Sequence, residues 1–146
     1  MKGGSLTNFS EQLILRSKKE VLVVNPFVDQ CELSDSLWKT VEEGKDVILI
    51  ARSPEEEKDQ KHRTRNEKQH KVLRERGARV AYDQRGHAKL IVVEKAVAVV
   101  SSMNLTGLST GESSWEAGLV TKEDTVVESI VDSIYGLLER PDSEAQ

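Results

Sequence analysis

Four short runs constrain the fold more than any other feature of this chain. "VLVV" from Val21, "VILI" from Val47, "LIVV" from Leu90 and "VAVV" from Val97 are apolar at successive positions and do not alternate with polar residues. A strand that shows one face to water alternates, whereas a run without alternation is covered on both sides. Such strands need helices above and below the sheet, and helical spacing is present between them.

Leu6, Phe9, Leu13 and Ile14 have helical spacing ahead of "EVLVVNPF", a buried strand ended by proline. In "ELSDSLWKTVEEG" Leu33, Leu37 and Val41 recur every fourth residue, a helix stopped at Gly44 before the strand "DVILIAR". "VLRERGARVAY" closes a helix at Gly77 and opens a third strand, and residues 88–93 and 96–101 make two more. A short apolar strand follows Glu116, and the segment from Val126 to Leu138 carries a long apolar helical face. The predicted class is α/β, a mixed β-sheet flanked by helices on both faces. With 146 residues, 37% of them hydrophobic, the chain suffices for one domain over 1–146, with flexible ends at 1–5 and 140–146. Trp38 and Trp115 read as packing residues.

From Ser53 to Lys71 there is no large apolar residue, which predicts a solvated helix or a mobile excursion that contributes nothing to the core. The net charge of -4 argues against a generally basic surface, yet Lys58 to Arg79 holds nine Lys and Arg against three acids. An anionic partner would be met there, through Arg63, Arg65, Lys68 and Lys71, unless the segment is only a solvated charged face. A single cysteine, Cys31, permits no internal disulfide and no cysteine-based zinc site. His62 and His70, about 12 Å apart along a helix, are too distant to share a metal. No run suits a membrane span and "MKGGSLTNFSEQL" lacks the apolar core of a signal peptide, so the expected compartment is cytoplasmic. The sequon at Asn104 is then incidental.

One polar cluster needs its own explanation. "HAKLIVVEKAVAVVSSMN" sets His87, Lys89, Ser102 and Asn104 at the two outer ends of paired apolar runs. A hairpin turning at Glu94 and Lys95 would put His87 opposite Ser102, so that all four project from one side at one end of the sheet. A cation, an imidazole, a hydroxyl and an amide together suit an anion with several oxygens, phosphate better than carboxylate. Glu94, seven residues from His87, lies roughly 23 Å away along an extended strand and is outside that cluster. Glu116, in "SSWEAGL", is placed to approach it, where a carboxylate would hold the His87 ring.

His87-x-Lys89, four residues, Glu94, six residues, then Ser101-Ser102-x-Asn104 resembles the signature of the phospholipase D superfamily. That signature is His-x-Lys, four residues, Asp, six residues, Gly-Ser-x-Asn, and the spacing is identical. Glu94 stands for the family's Asp, and Ser101 for its Gly, adding a Cβ in the turn that carries Ser102. The resemblance extends to the strand-helix-strand order before the motif and to the acid in "WEAG". It implies an α/β/α sandwich and metal-free phosphodiester chemistry with no cofactor. His87 would attack phosphorus to give a phosphohistidine, and Lys89, Ser102 and Asn104 would stabilise the phosphoryl oxygens. A second motif's histidine protonates the leaving oxygen in that family; only one motif exists here, which implies a homodimer related by a two-fold axis.

Taken alone, a His-x-Lys at a strand end is two solvated polar groups, and a lone Glu before a strand is a surface residue. A Ser102-His87-Glu116 hydrolase would leave Lys89 and Asn104 unexplained and lacks a Gly-x-Ser-x-Gly elbow. The reading is therefore a nuclease acting on DNA or RNA. The alternatives are a phospholipid phosphodiesterase or phosphatidyltransferase, disfavoured by an aromatic content of 4%, and an inactive binding or dimerisation module.

Overall fold

The computed structural model describes residues 3–84, 86–111 and 114–139. Helix α1 (Gly3–Leu15) leads into β1 (Glu20–Val24), and α2 (Glu32–Glu42) carries the chain to β2 (Asp46–Ala51). Helix α3 (Gln60–Arg76) then leads to β3 (Arg79–Tyr82); these three strands are parallel, as crossover helices allow. Strands β4 (Leu90–Val93), β5 (Val97–Ser101) and β6 (Gly118–Thr121) extend the sheet antiparallel from β1, with a one-turn helix α4 (Gly107–Thr110) before β6 and α5 (Asp124–Leu138) after it. The order across the sheet is β3-β2-β1-β4-β5-β6.

The unalternating runs are buried on both faces, except that Val100 near the end of β5 is exposed. Val21, Val23, Leu49, Val80, Ile91 and Val99 pack against Ile14 of α1, Leu37 of α2 and Leu73 of α3. On the other face Leu22, Val24, Ile50, Val92 and Ala98 receive Val127, Val131 and Ile134 of α5, spaced one helical stripe apart. Each fully buried side chain of this kind contributes about 1.5–3 kcal/mol, so truncating one in the central strand β1 removes a large share of a domain's net stability. The result is a mixed α/β sheet with three helices on one face and α5 on the other.

Of the end expected to be flexible, Gly3, Gly4 and Ser5 lie in α1; Met1, Lys2 and residues 140–146 fall outside the described residues. Two expectations are corrected. The polar segment 53–71 is a 3₁₀ turn (Pro54–Glu56) followed by most of α3, and it does enter the core: Asn66 and His70 are buried. Asn66 Oδ1 accepts from Val28 N–H at 2.8 Å, and His70 Nδ1 lies 2.9 Å from the Tyr82 hydroxyl. Polar side chains with partners can be buried at little cost, and a pattern that counts only apolar residues does not see them. Trp115, read as a packing residue, is 73% exposed, whereas Trp38 packs beside the core under the Arg76 guanidinium.

The hairpin register is also one residue from that expected. Val93 faces Val97 and Leu90 faces Val100; continued past the ladder, this register sets Lys89 opposite Ser101 and Ser102 opposite Ala88, not opposite His87 as expected. Glu94 (φ 60°) and Lys95 (φ 55°) both adopt the left-handed conformation, with Ala96 N–H bonding Val93 O at 3.0 Å. Ala96 is the extra residue. A slip normally exposes a strand's apolar face, but two runs that are apolar on both faces do not signal it.

Candidate active site

The registers bring one end of the sheet to a single place. Val24 pairs with both Ile50 and Leu90, Leu90 with Val100, and Ser101 with Gly118. Asn25 after β1, Lys89 before β4, Ser102 after β5 and Glu116 before β6 therefore share that end, the carboxyl end of the parallel strands where α/β sheets carry their ligands. His87 is exposed in the segment between β3 and β4, and its ring makes no hydrogen bond among the described residues. Lys89 is half-buried; its Nζ donates to His87 O at 3.4 Å, and its carbonyl accepts Ser101 N–H at 3.1 Å.

Within this chain Glu116 meets Ser102 and not the His87 ring expected for it. Its buried carboxylate accepts a hydrogen bond from Ser102 Oγ and another from Ser114 Oγ at 2.9 Å. Ser102 Oγ in turn accepts Ala117 N–H at 3.1 Å, and the Ser102 N–H bonds Ala117 O at 3.0 Å. The β5–β6 pairing runs directly into this contact and leaves the carboxylate facing a hydroxyl across the ladder. Glu116 thus fixes the rotamer of Ser102, and the His87 ring nitrogens have no hydrogen-bond partner among the described residues.

Asn25, not among the expected site residues, clamps the peptides on both sides of Asn104. It is buried; Nδ2 donates to Met103 O at 3.0 Å, and Oδ1 accepts Leu105 N–H at 3.4 Å and Phe27 N–H at 3.2 Å. Asp29 N–H to Leu105 O at 2.9 Å and Gly107 N–H to Asp29 Oδ1 at 3.0 Å zip the same two loops together. Its signal in the sequence was an amide closing an apolar run just before proline. Asn104 itself is half-buried, with an Oδ1 that is buried and unpartnered among the described residues.

The two departures from the motif have local explanations. Glu94 sits at the opposite end of the sheet, where its Oε1 accepts N–H donors from Lys18 (3.2 Å), Lys19 (2.8 Å) and Glu20 (2.8 Å). Desolvation pushes its carboxyl up, and those three donors with the Lys19 charge outweigh it, leaving Glu94 below the ordinary carboxylate range. Ser101 pairs with Gly118, and its side chain has a local use: its Oγ accepts Met103 N–H at 3.2 Å in the turn that leads to Asn104.

Beside Asn104 lies a cleft of about 570 Å³ with Phe27, His62, Arg65, Asn66 and Lys68 in its walls. Of the four candidate cations, Arg65 and Lys68 line it. Arg63 instead donates to Glu55 O at 2.8 Å and lies 3.9 Å from Glu67, and Lys71 lies 3.9 Å from Glu75. Neither His87 nor Lys89 lines the cleft, which therefore flanks the motif residues and does not enclose them. Among the described residues no group of three His, Cys, Asp or Glu side chains could hold a metal ion, and no helix is long and apolar enough to cross a membrane.

An exposed imidazole, an ammonium, an amide and a carboxylate-held hydroxyl at one sheet end, all spaced as in the motif, mark a family. The family model described as "cardiolipin synthase, PLD-like domain" matches residues 11–136. The chain belongs to the phospholipase D superfamily. Solved phospholipase D-like structures share its fold. The phospholipase D family member Nuc from Salmonella typhimurium superposes with a TM-score of 0.78 at 15% identity, over 91% of this chain and 86% of that one. NucT from Helicobacter pylori gives 0.74 at 12% identity, over 94% and 89%. TrmBL2, an archaeal chromatin protein described with a novel mode of DNA binding, gives 0.65 at 14% identity, over 94% and 50%. No curated protein matches the chain by sequence. Within the phospholipase D superfamily frame, the motif spans β4 and β5 from end to end.

Proposed function

We propose that the chain is a phosphodiesterase that works as a homodimer, without metal, through a phosphohistidine, on DNA or RNA. The observation that carries this reading is the exposed His87 ring, free of hydrogen bonds among the described residues, at the sheet end that also presents Lys89 and Asn104. In the first step a His87 ring nitrogen forms a bond to phosphorus as the ester P–O bond breaks, and the leaving oxygen takes its proton from His87 of the second copy. Water then attacks phosphorus, the P–N bond breaks, and the second copy's His87 accepts the water proton. Two displacements replace one harder step, while the Lys89 ammonium and the Asn104 amide donate to oxygens on which charge builds.

A second copy has a surface to meet. Val100 and Leu119 face each other across β5 and β6 on the α5 side, beyond the cover of α5, and Leu119 is 68% exposed; Trp115, beside Glu116, is also bare. This apolar patch borders the motif end of the sheet, and β6 is an edge strand. For nucleic acid the support is the cationic cleft, together with a DNA-binding protein among the structures of the same fold.

One observation favours a second reading, a phospholipid phosphodiesterase or phosphatidyltransferase. A recess of about 360 Å³ lined by Val24, Ala88, Leu90, Ile134 and Leu137, with Ser133, is mostly apolar and adjoins His87 and Lys89. Incubating the purified chain with DNA, RNA, phosphatidyl lipids and a chromogenic phosphodiester, with and without EDTA, separates the readings. Nuclease activity unaffected by EDTA and abolished by His87→Ala is expected. Preference for lipid would transfer the assignment to the second reading, and a folded dimer that cleaves nothing would make the chain a binding module.

A further inference from the structure

The cleft beside Asn104 has two unlike walls. His62, Arg65, Asn66 and Gln69 recur at i, i+3, i+4 and i+7 and so form one stripe along α3, with Lys68 next to it. Arg65 and Lys68 are exposed and have no ion pair among the described residues. Across from them the segments after β1 and before α3 contribute Asp29 and Glu57. Phe27, half-buried, offers an aromatic surface in the same cleft. Asn104, the amide assigned above to the phosphoryl oxygens, forms part of the lining, so whatever fills the cleft is continuous with the reacting phosphate.

We propose that this cleft is a subsite for a single nucleic-acid strand, holding the nucleotide next to the scissile phosphate, with Arg65 and Lys68 on the adjoining phosphate and Phe27 against the base. This rests on the phosphodiesterase reading and narrows its substrate. A volume of about 570 Å³ is that of a small-molecule site and takes a nucleotide or two of one strand. A duplex carries a second phosphate chain, about one charge per 1.7 Å of axis counting both strands, and here that chain would meet Asp29 and Glu57 instead of cations. An acyl chain fits worse, because the Gln69 amide and the Ser109 hydroxyl, which make no side-chain hydrogen bond among the described residues, would be left against it without partners. One aromatic surface supports stacking that tolerates any base.

The test is equilibrium binding of the full chain carrying His87→Ala, which removes turnover and leaves the cleft intact. The probes are a labelled short oligothymidylate, the same oligonucleotide annealed to its complement, and vesicles of phosphatidylglycerol. The single strand should bind about tenfold or more tighter than the duplex, and Arg65→Glu with Lys68→Glu should lower the slope of log affinity against log salt by about 1.4, or 0.7 for each lost contact. Phe27→Ala should weaken single-strand binding about fivefold or more at an unchanged salt slope, as loss of one stacked base does. Equal or tighter duplex binding, an unchanged salt slope in the charge-reversed protein with a native circular dichroism spectrum, or preference for the vesicles overturns the subsite. Hydrolysis of a chromogenic phosphodiester by the parent chain is read separately: its absence sinks the phosphodiesterase reading, whereas hydrolysis without strand preference sinks the subsite alone.

Discussion

Asn25 Nδ2 donates to the Met103 carbonyl at 3.0 Å from a side chain that is 1% exposed, which ties the end of the central strand to the peptide preceding Asn104. Replacing Asn25 with Ala leaves Met103 O and the Leu105 N–H without their buried partner. Such groups cost about 1–3 kcal/mol each when unsatisfied, so the urea midpoint should fall. Turnover of a chromogenic phosphodiester should fall at least about tenfold with little change in KM if Asn104, as proposed, acts on the transition state more than on the bound substrate. A rise in KM alone, with turnover intact, would show that the clamp does not position Asn104 for the transition state.

Ser102 and Glu116 should behave as one unit. Ser102→Ala and Glu116→Ala each remove the same contact, so the double variant should lose little more activity than either single one. A double-mutant cycle on chromogenic substrate turnover measures this. Additive losses would mean that Glu116 acts on something other than Ser102.

Burial holds His70 down to about 4, with the nearby Arg74 charge adding to the effect. Its unfolded value is about 6.5, so between these limits the unfolded chain binds a proton that the native one refuses, and stability rises with pH. The contribution is complete above about pH 6.5 and is lost, on the order of 3 kcal/mol, as pH falls toward the folded value. His70→Gln, which can still bond the Tyr82 hydroxyl, should flatten that part of the curve in chemical denaturation.

Glu94 supplies a separate acid limb. Its folded pKa lies below the ordinary carboxylate value, so its stabilisation is present above that value and is lost as pH falls through the folded one. In Glu94→Gln the loss of stability below about pH 4.3 should be reduced, while the limb due to His70 is unchanged. A Glu94→Gln curve that parallels the parent's through that range would show that the N–H cluster does not favour the charged form.

The exposed Val100–Leu119 pair gives the dimer a test independent of catalysis. Leu119→Glu should sediment as a single chain and lose activity while its unfolding free energy stays within about 0.5 kcal/mol of the parent's, as for a surface substitution. A parent that sediments as one chain at micromolar concentration and still turns over substrate would end the dimer proposal.

What the sequence disclosed follows from which physical signals are periodic. The runs at Val21, Val47, Leu90 and Val97 are legible as doubly covered strands because nothing in them alternates, and for the same reason they conceal that Ala96 shifts the register. Helix α3 reads as solvated because its docking is done by Asn66 and His70, whose burial depends on distant partners, the Val28 amide and the Tyr82 hydroxyl. Glu116 could be placed at the right sheet end from its position before β6. Its choice of Ser102 over His87 depends on the β5–β6 ladder, which no spacing within the motif encodes.

The residue at the far end of the motif invites a different use. Glu94 fastens the β4–β5 turn to the start of β1, whereas His87 lies at the other rim of the sheet. One stretch of sequence therefore writes two separate records, one of assembly and, on the proposed function, one of reactivity. A descendant could erase the reactive half by losing His87 and still inherit a sound scaffold. When such chains are sorted into enzymes and retired enzymes, the informative letters are those at the His87 rim, and agreement at position 94 vouches only for the architecture.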